Sequence, residues 1–257
     1  MASCSPAYRI AHTYISWQFR RYFYYGAFFF ETASVVASGL GYNGREEAQV
    51  ADPKQTEKLG DHKWDKIIGA YIFGAETSCS ANDFFKYWNY RYHVWSKHYN
   101  LERIVETGKK PTVGQVMTIY VISAFWHGWY PMYYMGFLIG AITTVLHRDA
   151  YMCWYLFRNV PRPLKYGISW IFTQFAVNYG GLALTGLTLE NGMIMLSYTY
   201  YAQLVILAVM ILVFRVFGLV SISRKMERKA KEAAEGKSTG SKTGDESSKS
   251  ANEKKTQ

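Results

Sequence analysis

"PTVGQVMTIYVISAFWHGWYPMYYMGFLIGAITTVLH", residues 111–147, contains no Asp, Glu, Lys or Arg. A helix that crosses a bilayer needs about 20 consecutive apolar residues, so this run is long enough for two. Pro131 marks the place to divide it, because proline breaks a helix interior. Residues 166–189 and 192–214 are uncharged as well, and residues 22–42 carry a single charge, Glu31. Several separate apolar helices in one chain are more than a soluble core usually holds. The expected fold class is therefore all-α: a polytopic integral membrane helical bundle with interfacial helices and a disordered C-terminal tail.

Composition fits that reading. The 257 residues are 49% hydrophobic and 18% aromatic, rich for a soluble fold. The mean hydropathy of −0.12 is lowered by the tail and by tyrosines, which the scale counts as mildly polar. Residues 224–257 are almost wholly Lys, Arg, Glu, Ser, Gly and Thr, the composition of a disordered charged segment. Two divisions follow, a membrane part over 1–223 and a cytosolic tail over 224–257.

The net charge of +10 raises the question of nucleic acid, and its distribution answers it. The tail holds ten Lys or Arg against six Asp or Glu, a net of +4 that leaves +6 elsewhere, with no nucleic-acid motif beside it. No nucleic-acid partner is expected. The basic residues instead fall in alternate gaps between the apolar runs. Lys109 and Lys110 precede the long run, Arg148, Arg158, Arg162 and Lys165 follow it, and the turns at Pro131 and Glu190-Asn191 carry none. Basic gaps face the cytosol, which places the C-terminus there and the two uncharged turns in the lumen. Lys254-Lys255-Thr256-Gln257 matches the dilysine pattern of endoplasmic reticulum retrieval, so a multi-pass protein of that membrane is expected. Cys4, Cys79 and Cys153 lack the spacing of a zinc site or disulfide framework, and no metal is expected. Residues 1–21 have neither an unbroken apolar stretch nor a small-residue cleavage site, so no cleavable signal peptide is expected.

Between the first apolar stretch and the long run, residues 41–62 read as a polar loop. From Asn82, a candidate N-cap, "NDFFKYWNYRYHVWSKHYNLERIV" reads as one helix to Val105. It carries Phe84, Trp88, Tyr92, Trp95 and Tyr99 along one flank, with Lys86, Arg91, Lys97 and Arg103 among them. Such a helix suits the membrane interface.

The residue that asks for chemistry is His127. Counted at about 1.5 Å per residue from Pro111, it lies roughly 24 Å along its helix, where burial favours a neutral imidazole able to accept a proton. It is either a structural histidine hydrogen-bonded to a neighbouring helix or a catalytic base, since polar groups inside a bilayer are costly and commonly functional. His12, His62, His93, His98 and His147 lie near charged or interfacial sequence and are weaker candidates. Glu31 is expected to pack against Arg20, Arg21 or a turn. Ser123, one helical turn before His127, is expected to bond its own backbone.

Those residues carry a resemblance. "YWNYRYHVWSKHYN" followed by "ISAFWHGWYPMYYMGFLIGA" resembles the signature region of the membrane-bound O-acyltransferases, in their lysophospholipid acyltransferase branch. The family has a Trp-Asn pair, here Trp88-Asn89, then a Ser-Ala-x-Trp-His-Gly block, here Ser123 to Gly128. Asn89 and His127 stand 38 residues apart (127 − 89). "HKWDKIIGAYIFGAETSCSANDFFKYWN", residues 62–89, is similar to the stretch that precedes the family's Asn. The likeness covers about residues 22–219, the C-terminal half of the family's longer enzymes, and Met132 stands where the family more usually has Gly. The resemblance implies acyl transfer from acyl-CoA, a co-substrate with no further cofactor, to a lysophospholipid hydroxyl in the lipid bilayer. His127 would be the base, Asn89 would orient the acceptor or stabilise the oxyanion, and Trp88, Trp126 and Ser123 would contact substrate. Another lipid or protein acceptor, an inactive truncated scaffold and a transporter subunit are the alternatives.

Overall fold

The computed structural model of the protein describes residues 4–45 and 62–232. Every regular element among them is helical, apart from one isolated antiparallel bridge between Arg45 and His62. The chain divides into two compact units, Met1–His147 with Arg162–Leu207, and Arg148–Pro161 with Ala208–Gln257.

The first unit begins with α1, Pro6–Ala37. Ser5 accepts the Tyr8 N–H at its start, and Pro6 occupies the first turn, where no N–H is needed. Thr13, Trp17, Arg21 and Tyr25 recur every fourth residue and form the buried stripe, the period of one helix face. That face lies against α8, Arg162–Thr185. The approach is close enough that a Cβ at Gly181 would fall inside the Trp17 indole. α8 buries polar residues beside apolar ones, Thr173, Gln174 and Asn178 with Ala176 and Val177.

The expected division of residues 111–147 is present. Thr112 and Gln115 form a reciprocal capping box that opens α6, Val113–His127. Gly128, with φ +125°, ends it in a conformation that side chains rarely adopt. After it, α7 runs from Pro131 to Met152. Met132, in the first turn of α7, is fully buried, and its thioether fills the space a Cβ would need at Gly192.

Other expectations are corrected. The single crossing expected over 192–214 is a broken pair. α9, Leu189–Tyr198, and the helical stretch Ala202–Val216, made of α10, Ala202–Ile211, and a π-helical turn, Leu212–Val216, are bent by 83°. Tyr200 and Tyr201 both take left-handed backbone there, at φ 55° and 52°. The Tyr179 hydroxyl donates to Thr199 O at 3.1 Å and holds the break. Among the described residues no single helix is long and apolar enough to cross a membrane, and only this bent pair meets that length and composition together. α6 is short, at 15 residues, and the Gln174 and Asn178 positions dilute α8. The run expected to end at 189 stops at Thr185, before Leu187 at φ 56°.

The interfacial helix expected from Asn82 to Val105 has its N-cap two residues earlier, at Ser80, and is not continuous. Ser80 caps α3, Ala81–Trp88, through the Asp83 N–H. Asn89, at φ −135° and ψ 79°, breaks it from α4, Tyr90–Ser96. A π-helical turn, Lys97–Leu101, and a short α5, Glu102–Ile104, follow. A short α2, Ile72–Glu76, packs on α3. Glu31 is exposed and lies beside the backbone at Gly69, so of its expected neighbours the turn is present and the arginine is not.

In the second unit, buried Asp149 accepts Arg215 Nε at 2.7 Å, and Ser223 Oγ donates to Met152 O at 3.0 Å. A further helix, α11, covers 219–232 and carries the ion pairs Arg228–Glu232 and Lys231–Glu227 at (i, i+4) spacing. The boundary placed at Arg224 therefore falls within a helix. The rest of the tail, with Lys254 and Lys255, lies outside the described residues, as do residues 46–61 of the expected loop.

Candidate active site

Asn89 is placed by its own side chain. Its Oδ1 accepts the Tyr92 N–H at 3.1 Å, the bond that caps α4. Its backbone is held by its neighbours, with Tyr90 N–H donating to Gly69 O at 2.8 Å and Tyr71 N–H to Tyr87 O at 3.0 Å. With Oδ1 committed, the amide orientation is set. Nδ2 meets no protein acceptor among the described residues and has two hydrogens to donate.

His127 is the last residue of α6 and is exposed, not enclosed in mid-helix. Its ring lies 4.9 Å from the Phe137 ring and 5.8 Å from that of Tyr133, both one or two turns into α7. No protein hydrogen bond to either ring nitrogen is present among the described residues. The structural reading of this histidine called for such a bond to a neighbouring helix.

Two contacts join the helix after Asn89 to the helix that ends in His127. The Tyr92 hydroxyl and Ser123 Oγ are 2.5 Å apart, and the Trp95 and Trp126 rings are 6.3 Å apart. Ser123 also donates to Ile119 O at 2.9 Å, the backbone bond expected of it. Ser123 is buried and fully engaged by protein, so it braces α4 against α6. Trp126 is 73% exposed. Trp88 belongs to the packing: Tyr24, Tyr25 and Phe28 meet it edge-on at 5.8, 5.2 and 5.7 Å, and Phe84 stacks on it at 5.6 Å.

His93, in α4, donates its backbone N–H to Asn89 O at 2.9 Å. Burial first, and then the Lys86 and Lys97 ammonium groups, hold its imidazole below the ordinary range. His93 lies on the helix that Asn89 caps, and the spacing of the signature residues gave no reason to single it out. Among the described residues no three His, Cys, Asp or Glu side chains converge as metal ligands would.

Sequence reasoning missed a polar cluster on the α1 stripe. Arg21 is fully buried and pairs with Glu76 at 2.8 Å, while Gln174 and Asn178 accept from its other terminal nitrogen, each at 2.9 Å. A signal was present: Gln174 and Asn178 are two amides at (i, i+4) spacing in an uncharged run, on one helix face and in want of a partner.

The model of the membrane-bound O-acyltransferase family (MBOAT) matches residues 5–186. Lysophospholipid acyltransferase 2 of Arabidopsis thaliana is 29% identical over 216 residues, covering 81% of this chain and 44% of that protein. Membrane-bound glycerophospholipid O-acyltransferase 2 of Homo sapiens is 30% identical over 231 residues, covering 89% of this chain and 40% of that protein. Lysophospholipid acyltransferase of Saccharomyces cerevisiae is 30% identical over 135 residues, covering 52% of this chain and 20% of that protein. The chain thus spans less than half the length of these relatives.

Proposed function

The chain belongs to the membrane-bound O-acyltransferase family, and from that premise we propose that it transfers a fatty acyl group from acyl-CoA to a lysophospholipid hydroxyl in phospholipid remodelling. One observation carries the proposal. His127 and Asn89 each present nitrogen atoms that no protein group engages among the described residues, on helices tied together at Tyr92 and Ser123.

In the proposed reaction a neutral His127 nitrogen takes the acceptor's proton as its oxygen attacks the thioester carbonyl carbon. Such general-base action is worth about 10²–10⁴ in rate. The carbonyl π electrons move to oxygen, and Asn89 Nδ2–H donates to the resulting oxyanion, worth about 10²–10³ for a single donor. Collapse of the tetrahedral intermediate breaks the carbon–sulfur bond. The leaving thiolate recovers the proton from the imidazolium, so His127 ends neutral. The exposed Trp126 indole supports apolar parts of a substrate, whereas Trp88 and Ser123 act by holding the frame. Acyl-CoA is the co-substrate, and the chemistry as drawn needs no metal.

The names of the Arabidopsis and human relatives support a lipid acceptor, and the alternation of Lys and Arg along the sequence supports a multi-pass protein with its tail in the cytosol. Lys254 and Lys255 support residence in the endoplasmic reticulum, which Ser at both positions would weaken.

The test uses membranes containing the protein, labelled acyl-CoA and a panel of lysophospholipid, sterol, diacylglycerol and peptide acceptors. Transfer to lysophospholipid, abolished in His127→Ala at equal accumulation, is the expected result. Near-normal transfer by His127→Ala would end the catalytic reading, and preference for another acceptor would redirect the substrate.

A further inference from the structure

Arg21 is enclosed completely, with none of its side chain exposed, whereas the Glu76 side chain is 30% exposed. The guanidinium donates through Nη1 to Gln18 at 3.1 Å, Gln174 at 2.9 Å and Asn178 at 2.9 Å. Through Nη2 it donates to Glu76 Oε1 at 2.8 Å and Tyr25 OH at 3.3 Å. The Tyr25 hydroxyl in turn donates to the same Glu76 oxygen at 2.6 Å. The Glu76 main-chain carbonyl accepts from Trp170 Nε1 at 2.7 Å and from Gln174 Nε2 at 3.0 Å. Short α2 is thus tied by polar bonds to both α1 and α8.

A buried ion pair is a poor device for stability alone, because well-packed apolar residues of the same volume commonly do as well; fixing one arrangement is a use to test in each case. Here the arrangement that is fixed leads to Asn89. The Arg21 guanidinium sits 4.8 Å from the Phe84 ring centroid. Phe84 stacks on Trp88, and Tyr25, the phenol shared by Arg21 and Glu76, meets Trp88 edge-on at 5.2 Å. Trp88 is the last residue of α3, and the next residue is the non-helical Asn89.

We propose that Arg21 and Glu76 are positioning residues that hold Trp88, and through it the backbone break at Asn89, in the geometry that aims Asn89 Nδ2. The proposal rests on the role given to Asn89 under Proposed function. A displacement of about 1 Å in a reacting group costs on the order of 100-fold in rate. The pair therefore acts on turnover without touching substrate.

Glu76→Gln tests it while keeping size and one acceptor oxygen, and Arg21→Lys keeps the charge but removes the planar fork. Amide hydrogen exchange in lipid nanodiscs is measured first, comparing residues 88–93 with α7. The expected result for both variants is exchange at 88–93 faster by roughly 10-fold with α7 unchanged, a local opening. Unchanged exchange at 88–93, or an equal rise in α7, overturns the proposal. Kinetics then separate positioning from bulk stability. Glu76→Gln should lower kcat by about 10- to 100-fold with KM for acyl-CoA little changed, and should cost nothing further in an Asn89→Ala background. Additive losses overturn it. Full turnover by Asn89→Ala alone would instead remove the catalytic role of Asn89, and the exchange result would still decide whether the pair holds the segment.

Discussion

The Tyr92 hydroxyl lies 2.5 Å from Ser123 Oγ, and this bond links the helix that Asn89 caps to the helix that His127 ends. Tyr92 is three residues after Asn89, and Ser123 is four before His127, so each partner sits about one turn from a proposed reacting residue. Ser123 keeps its bond to Ile119 O when the phenol is removed. Tyr92→Phe should therefore cost only about 0.5–1.5 kcal/mol of stability, while turnover falls more than that loss explains. Thermal unfolding in detergent measured beside kcat checks this, and turnover equal to that of the unaltered protein would show that the link does not set the site.

Asn89→Asp separates two roles of one side chain. The carboxylate keeps an acceptor for the Tyr92 N–H, and Asp caps helices as well as Asn does, so folding should be retained. The Nδ2 donor is lost, and turnover should fall by about 10²–10³. Asn89→Ala should lose the cap as well, at about 1 kcal/mol. An active Asp variant would reduce Asn89 to a capping residue.

Gly181→Ala should destabilise the protein by about 1–3 kcal/mol or more, because the added carbon meets the Trp17 indole in the α1–α8 contact. Trp17→Leu in the same chain should recover part of the loss. Unfolding temperatures of the single and double variants decide it, and no recovery would mean that the strain lies elsewhere.

Glycosylation acceptor sites placed at Pro131, at Glu190, in residues 158–165 and after residue 232 test the side of the membrane that each faces. Modification is expected only at the first two. If α9 and α10 dip into the bilayer and return, instead of crossing it as one bent unit, the site after residue 232 would be modified together with that at Glu190.

Pro131 makes the break in the long uncharged run legible, because proline does not continue a helix interior. The capping box of Thr112 with Gln115 and the permissive backbone of Gly128 set the two ends of α6, a detail that the apolar pattern does not contain. Ser123 bonds its own helix as its position suggested. Charge alternation and apolar runs could not show that Tyr200 and Tyr201 take left-handed backbone, since nothing about tyrosine favours it. Nor could they show that Asn89 breaks a helix whose aromatic flank runs straight through it, because Tyr90 N–H is drawn to Gly69 O, distant in sequence. Glu31 is the carboxylate nearest to Arg21 in sequence, whereas the partner of Arg21, Glu76, arrives on a separate short helix. Pairings across many residues are decided by packing, which a linear pattern does not contain.

Met132 and Gly192 compete for one volume. The methionine at the head of α7 takes the room that any side chain at 192 would require, so these two positions do not vary independently. A related chain with Gly after the proline leaves a methionine-sized space there, and a larger residue at the position of Gly192 would fill it. Covariation at this pair across relatives would therefore record how α7 and α9 are spaced, without any structure of those relatives being needed.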